Sequence, residues 1–336
     1  MIDHEHMKPT STHPKSLNLA GSHIVLAGGS GFIGQSLANS LKSSGARITI
    51  LSRQSQHPRA DPRFTIVNWD ARTLGTWCHA LDGADAIVNL VGRTVDCIKT
   101  PDHCDEILRS RVESTLILGK ALAATAKQPR VWVQMSTAHI YGDPPEVVCD
   151  EQSPTGYGLA PFVGQAWEEA FLASCPKSVR GVILRTSFVI GRPNSGGSGA
   201  LGTLGTLAKL GLGGKVGSGR QGMSWIHEDD LNGIILQSIV DSSMSGMYIS
   251  TAPQPVSQIE FMRQVRRCAG GLGSLGIALP ASELMVRLGA RLLLRTDPEL
   301  ALYGRYCIPK RLMDDGYKFH FPNLRDALEN LTSTIT

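Results

Sequence analysis

The stretch His23-Ile-Val-Leu-Ala-Gly-Gly-Ser-Gly-Phe-Ile-Gly34 decides the fold. Its apolar run, Ile24 to Ala27, predicts a buried strand, and the residues from Phe32 to Ser44 predict a helix stopped at Gly45. Between the two, Gly28, Gly31 and Gly34 stand three apart, the spacing of a dinucleotide-binding turn. Gly28 permits the tight turn off the strand, Gly31 lets the backbone approach a pyrophosphate, and Gly34 lets the helix pack close to the strand. The helix N-terminus supplies unpaired N–H groups and the positive end of a dipole. Gly28, Ser30, Gly31, Phe32, Ile33 and Gly34 are therefore the expected phosphate-side contacts. Loops also collect glycine, so the context matters: a strand precedes the turn, a helix follows, and Arg47 to Leu51 reads as the next strand.

The end of that second strand speaks to which dinucleotide. NAD-binding folds place Asp or Glu there, to hold the ribose 2′-hydroxyl. This chain has Ser52 and Arg53, then Arg59, which suit a 2′-phosphate through a charge-assisted fork. NADP(H) is the expected cofactor, ahead of NAD. Further strands are predicted at Phe64 to Asp70, Ala84 to Gly92, Val131 to Met135 and Val182 to Arg185, with a helix from Pro101 to Ala126. Strands alternating with helices imply an α/β, Rossmann-type, doubly wound parallel sheet, whose ligands bind beyond the carboxyl ends of the strands. Asp70 is thus a candidate acceptor for the adenine amino group. Asn89 and Leu90 are candidates to line the cofactor, although Asn89 also reads as a strand-end cap.

Composition narrows the partners. The net charge of +4 is small for 336 residues, and no Lys/Arg cluster marks a nucleic-acid or membrane surface. Seven scattered cysteines without a C-x-x-C pair argue for reduced thiols in a cytoplasmic setting, with no zinc site and no disulfide framework. Residues 1–20 are polar and read as a flexible tail. No apolar run is long enough to span a bilayer. The expected partner is a small molecule.

The segment Met135-Ser-Thr-Ala-His-Ile-Tyr-Gly-Asp143 resembles the extended short-chain dehydrogenase/reductases, the superfamily of sugar-nucleotide epimerases and dehydratases. Ile183-Leu-Arg185 and Ser224-Trp-Ile-His-Glu-Asp-Asp230 support the resemblance. Pro309-Lys-Arg-Leu-Met-Asp-Asp-Gly-Tyr-Lys-Phe-His-Phe-Pro322 narrows it to the atypical "epimerase family" branch, which carries a small C-terminal domain of unknown function. The resemblance covers about residues 21–333. It implies an NADP-binding domain over residues 21–190, to which the strand and helix at about 216–250 return. Residues 191–222 and 251–336 then form a smaller substrate-side α/β region. It further implies a nucleotide-sugar or carbonyl substrate and a homodimer through helices flanking the site.

The chain departs from the superfamily at its catalytic pair. Extended members use Tyr-x-x-x-Lys, in which lysine and the cofactor ribose lower the tyrosine pKa for proton exchange. The matching helix is around Tyr157-Gly-Leu-Ala-Pro-Phe-Val-Gly-Gln-Ala-Trp-Glu-Glu169, where Pro161 follows Tyr157 by four. Anchored on Trp167-Glu168, the two slots hold Leu159 and Val163, and no lysine lies between Lys127 and Lys177. Thr137 matches the family's Ser/Thr slot, with Ser136 beside it, and Tyr157 is a candidate substitute acid. His139 is either a proton donor or a turn histidine. Gly191 to Gly222 is Gly- and Ser-rich, a substrate lid or a linker, and Arg192 and Arg220 are candidates to hold a substrate pyrophosphate. Ala281 to Leu294 reads as an apolar helix, either buried or covering the cleft or a partner. An NADP(H)-dependent oxidoreductase or epimerase-like enzyme is the expectation; the alternative is a non-catalytic NADP(H)-binding sensor or scaffold.

Overall fold

The computed structural model describes residues 19–53, 64–144, 147–192, 199–290, 292 and 295–332. Residues 1–18 of the expected tail, Arg59 and residues 193–198 of the Gly-rich loop lie outside them. The first half runs β1 (His23–Ala27), α1 (Phe32–Ser43), β2 (Arg47–Ser52), β3 (Phe64–Asn68), β4 (Ala86–Asn89), α2 (Pro101–Ala123) and β5 (Val131–Thr137). Then come β6 (Val148–Cys149), α3 (Leu159–Ser174), β7 (Arg180–Thr186), β8 (Phe188–Ile190), α4 (Gly199–Lys209), β9 (Gly222–Met223), β10 (Trp225–His227), α5 (Glu228–Val240) and β11 (Gly246–Ser250). The chain closes with β12 (Val256–Ser257), α6 (Gln258–Ala269), α7 (Gly271–Ser274), α8 (Glu283–Gly289), α9 (Glu299–Leu302), β13 (Tyr306–Cys307), α10 (Lys310–Asp314) and α11 (Leu324–Thr332).

Seven strands form one sheet in the order β3-β2-β1-β4-β5-β7-β11, and every neighbouring pair is parallel. β1 shows why. All five of its residues are buried, because a parallel strand is covered on both faces. Its alternate side chains go to two separate cores. Ile24 and Leu26 join Leu37 and Leu41 of α1 and Leu231 and Ile235 of α5. Val25 and Ala27 join Ile117 and Leu122 of α2 and Phe171 of α3, with Trp132 of β5 on the same face. The sheet is thus doubly wound, with α1 and α5 on one face and α2 and α3 on the other. The strand order reverses between β1 and β4, which opens a crevice at their carboxyl ends.

β11 enters this sheet as its seventh strand, beside β7. Beside the main sheet, the described residues form three two-stranded pairs, β8–β10, β9–β12 and β6–β13. A core there gathers Trp225, Phe261 and Val265 with Leu324, Leu328 and Leu331 of α11. In the 281–294 segment the structure overturns the buried-helix alternative. Its helix spans only Glu283–Gly289 and buries none of its residues. Leu284, Met285 and Leu288 remain exposed, and among the described residues α8 rests mainly on α9.

His227 couples the two regions. It caps α5, its Nδ1 accepting from the N–H of Asp229 at 3.1 Å, and its ring lies 4.0 Å from that of Phe321. Burial lowers its pKa from 6.5 to about 4. The unfolded imidazole takes up its proton near pH 6.5, the folded one only near pH 4, so the unfolded state binds more protons in between. Stability is therefore full above pH 6.5 and falls by roughly 3 kcal/mol as the pH drops to 4. Replacing His227 by Asn keeps a good cap and is expected to flatten that slope. Melting curves between pH 7 and pH 4 check it; equal slopes in the two proteins would reject the assignment.

Candidate functional site

The glycine turn has the geometry its spacing predicts. Gly28 has φ +78°, and a Cβ there would lie 3.0 Å from the backbone of Leu90 and Val91. At Gly34 a Cβ would come within 2.5 Å of Gly29 Cα, so the first turn of α1 needs glycine to sit on the strand. Gly31 is different. It is exposed, extended (φ −79°, ψ 177°), and caps α1 without any side-chain hydrogen bond. A Cβ on it would meet nothing nearer than Gly28 O at 3.8 Å, so one side of the turn is open above the free helix N-terminus. Gln35 ties the turn down by donating to Ser30 O at 2.8 Å. Phe32 and Ile33 are half-buried, Phe32 against Gly191 and Ile33 against the α1-side core.

Other expected cofactor residues are placed unequally around this turn. β2 ends beside it, the N–H of Gly28 donating to Leu51 O at 3.2 Å; Ser52 is buried and Arg53 exposed. Leu90 is half-buried and its N–H donates to Ala27 O at 2.8 Å. Asn89 is fully buried and turned inward. Its amide donates to Thr115 Oγ1 at 3.2 Å and Gln134 Oε1 at 3.0 Å, and its Oδ1 accepts from the N–H of Val91 at 3.1 Å. It shapes the strand end from inside, the cap its position also allowed. Asp70 lies on the surface past β3, where its carboxylate accepts from Thr73 Oγ1 and from the N–H groups of Arg72 and Thr73. Those bonds, that of the Thr73 hydroxyl foremost, lower its pKa to about 2.

The three expected catalytic hydroxyls are not brought together. Thr137 ends β5 half-exposed, and its Oγ1 accepts from the N–H of His139 at 3.1 Å. Ser136 is buried, and its hydroxyl donates to Glu168 Oε1 at 2.6 Å. Tyr157 precedes α3 with its side chain 99% exposed, so the structure does not turn it into the cleft. Val163, in the lysine slot, is buried. Gly164 instead closes α3 onto β5: its Cβ would sit 3.1 Å from Ile140 and 3.3 Å from Thr137 Cγ2.

Behind Thr137 lies a buried ion pair that the sequence reading passed over. Arg185 grips Glu168 in a two-pronged contact, Nε to Oε1 at 2.8 Å and Nη2 to Oε2 at 2.7 Å, and donates from Nη1 to Tyr141 Oη at 2.9 Å. Burial pushes the Tyr141 hydroxyl pKa up, so it stays a neutral phenol. Removing one partner of such a pair leaves a buried charge alone. Glu168→Ala is expected to cost roughly 3–5 kcal/mol in urea unfolding, against about 1 kcal/mol for Ser136→Ala. Similar losses in both would show that the pair contributes no more than an ordinary hydrogen bond.

The expected substrate arginines are also placed apart. Arg192 is neutralised, with Nη1 at 3.3 Å from both Glu228 Oε1 and Asp229 Oδ1. Glu228 also accepts from the N–H of Arg192 at 2.7 Å and from Ser36 Oγ at 2.6 Å, which ties the strand end of β8 to α1. Arg220 is exposed, and its carbonyl accepts from Tyr306 Oη at 2.7 Å.

An uncapped helix N-terminus over a forced glycine turn, at the reversal of an all-parallel sheet, defines a dinucleotide-binding α/β protein. The chain belongs to the NAD dependent epimerase/dehydratase family, whose model matches residues 24–243; that of the Domain of unknown function (DUF1731) matches residues 281–331. It is 31% identical to the epimerase family protein SDR39U1 of Bos taurus over 314 residues, 92% of this chain and 99% of that one. Among solved structures it is similar to human epimerase family protein SDR39U1 (isoform2) with NADPH. That match has TM-score 0.79 and 28% identity, over 93% of this chain and 99% of the other. It is also similar to the nucleoside-diphosphate sugar epimerase of Corynebacterium glutamicum, with TM-score 0.72 and 26% identity. There it covers 93% of this chain and 58% of that longer one.

Proposed function

We propose that the protein binds NADP(H) and acts as an oxidoreductase or epimerase-like enzyme on a small carbonyl or sugar substrate. The observation that carries this is the open side of Gly31 beneath the uncapped N-terminus of α1, where a Cβ would meet nothing nearer than 3.8 Å and the backbone is free for an anion to approach. Gly28, Ser30, Gly31 and Phe32 would hold the pyrophosphate, Arg53 the 2′-phosphate, and Leu90 and Val91 would run beside it. NADPH in the human relative supports the choice of cofactor. When bound, the nicotinamide supplies hydride chemistry, and the protein positions it.

The chain's own contribution centres on Thr137. Its hydroxyl stands at the end of β5, accepts from the N–H of His139, and keeps its own O–H to donate to a substrate oxygen. Thr137→Val keeps the shape and removes that donor. It is expected to lower kcat by about 10–100-fold while leaving NADPH affinity unchanged. The second reading, a non-catalytic NADP(H) sensor, is favoured by the outward Tyr157 and the apolar Val163 in the lysine slot. NADPH oxidation against a panel of carbonyl compounds and sugar nucleotides separates the two. Binding without turnover over the whole panel supports the sensor. Tighter binding of NADH than of NADPH overturns the cofactor assignment in both.

A further inference from the structure

The chain after α4 and the chain around α7 together present a row of apolar side chains to solvent. α4 ends at Lys209 and is followed by Leu-Gly-Leu-Gly-Gly-Lys215, and α7 opens the stretch Leu272-Gly-Ser-Leu-Gly-Ile-Ala-Leu279. The two stretches lie side by side. The N–H of Leu279 donates to Gly211 O at 2.8 Å, and a Cβ on Gly211 would lie 2.9 Å from Ile277 Cγ2 and 3.5 Å from Leu272 Cβ. Leu210, Leu212, Leu272, Leu275, Ile277 and Leu279 are between 43% and 77% exposed, Leu275 the most. The backbone holds them there. The N–H groups of Leu275 and Ile277 both donate to Leu272 O at 3.2 Å, and a Cβ on Gly214 would come within 2.3 Å of Leu279 O.

Charge singles out the same edge. Residues 199–222 and 258–282 hold six cations, Lys209, Lys215, Arg220, Arg263, Arg266 and Arg267, and one acid, Glu260. Their excess of five is more than the whole chain's net charge of +4, so the rest of the molecule is slightly acidic. Glu260 is bonded to Arg263, and the other five cations make no ion pair among the described residues. Lys209 and Lys215 are exposed, and the Lys215 carbonyl accepts from the N–H of Ala281 at 2.9 Å. Arg266 donates to Gly213 O, and its Cγ lies 3.1 Å from where a Cβ on Gly273 would be. Cations thus border the apolar side chains on both stretches. No single run of sequence displays the cluster, because the fold assembles it from segments far apart in the chain.

Area and charge decide what covers this edge. Even counted with the exposed side chains of α8, at about 100 Å² for a fully exposed aliphatic side chain, the apolar surface is on the order of 500 Å². That is large for a monomer, yet short of the ~800 Å² per partner that a specific protein interface buries. A second copy would also bring the same cations across a two-fold axis, like charge against like. A bilayer surface bearing anionic lipids suits both features. Its acyl boundary takes short apolar side chains, and its phosphates answer lysines and arginines. Among the described residues no helix is long and apolar enough to cross a membrane, so such contact is peripheral. We propose that this edge, centred on Leu275 and bordered by Lys209, Lys215 and Arg266, docks the protein on a membrane surface that carries anionic lipid. The docking depends neither on the cofactor assignment nor on any reaction.

Co-sedimentation of the full-length protein with vesicles tests it, phosphatidylcholine alone against equal parts of phosphatidylcholine and phosphatidylglycerol. Partition to the anionic vesicles is expected to be at least about tenfold stronger, and to weaken as salt is raised from about 0.1 to 0.5 M. Lys209→Gln and Lys215→Gln should each weaken it about fivefold, and Leu275→Ser about tenfold. All three sites are on the surface, so near-ultraviolet dichroism and NADPH titration should read as in the wild type. Partition that is equal for the two vesicles, absent from both, or unchanged in the folded variants overturns the proposal. So does a dimer, seen by sedimentation velocity without lipid, that Leu275→Ser dissociates, since it gives this face to a second copy.

Discussion

A Gly31→Val protein is expected to fold and to lose NADPH. Gly31 is extended at φ −79° and ψ 177°, a conformation that β-branched residues prefer, and the space around its Cβ position is open. Valine is a poorer helix cap than glycine, so about 1 kcal/mol of stability is the expected loss. Its two methyl groups would stand over the free N–H groups of α1, in the space a pyrophosphate needs. We expect NADPH binding to weaken at least about 100-fold, or about 2.7 kcal/mol. Gly34→Ala makes the opposite comparison. Its methyl would lie 2.5–2.7 Å from three backbone atoms of Gly29, so the fold itself would yield. NADPH fluorescence titration beside a thermal melt reads both effects. A folded Gly31→Val protein with wild-type NADPH affinity would remove the α1 N-terminus as the phosphate site.

The layer that binds was legible because two periodicities changed at punctuation. The run Ile24 to Ala27 is apolar at every position, as a strand covered on both faces must be, and the glycines mark where period two gives way to 3.6. The helix from Glu228 to Val240 was legible for a like reason, three acidic residues in its first turn ahead of an apolar stripe. For the Ala281 to Leu294 segment the sequence left burial and a covering role open, and the structure removes burial. Apolar residues predict burial only if something packs on them, and sequence periodicity carries no record of whether a neighbour exists. Here Leu284 and Leu288 of the helix Glu283–Gly289 face outward.

The candidate site was legible where chemistry is local and opaque where it is assembled. Thr137 stood out from its motif. Arg111 did leave a trace, since it lies four residues after Ile107 and four before Thr115, both buried, so an arginine occupies the inward stripe of α2. A charge on a buried stripe asks for a partner, but its setting comes from Arg93 and Trp167, the latter 56 residues away. Glu168 and Arg185 likewise meet only once α3 is laid against β5 and β7. The same distance in sequence hid the neutralisation of Arg192 by Glu228 and Asp229, 36 and 37 residues on. Tyr157 was drawn in by its place beside the helix that carries the superfamily's tyrosine, and its position just before that helix leaves it in solvent.

Arg53→Ala is expected to erase most of the proposed preference for NADPH. The residue sits exposed at the end of β2, and β2 runs in register beside β1, Leu51 opposite Ala27. A ribose carried by the glycine turn would present its 2′ position there, and neither Ser52 nor Arg53 can accept a bond from the paired hydroxyls of NAD as a carboxylate does. A charge-assisted bond to a phosphate contributes roughly 1.5–3 kcal/mol, so NADPH should bind about 10–100-fold more weakly in the alanine protein while NADH changes little. The contact is exposed, so the wild-type advantage should also shrink as salt is raised from about 0.05 to 0.5 M. Arg53→Asp carries the argument further. It repels a 2′-phosphate and accepts from a 2′-hydroxyl, and should bind NADH more tightly than NADPH. Paired titrations of the three proteins with both nucleotides give the ratios directly. If alanine and aspartate leave the ratio of the wild type intact, the 2′-phosphate is held elsewhere and Arg53 is an ordinary solvated arginine.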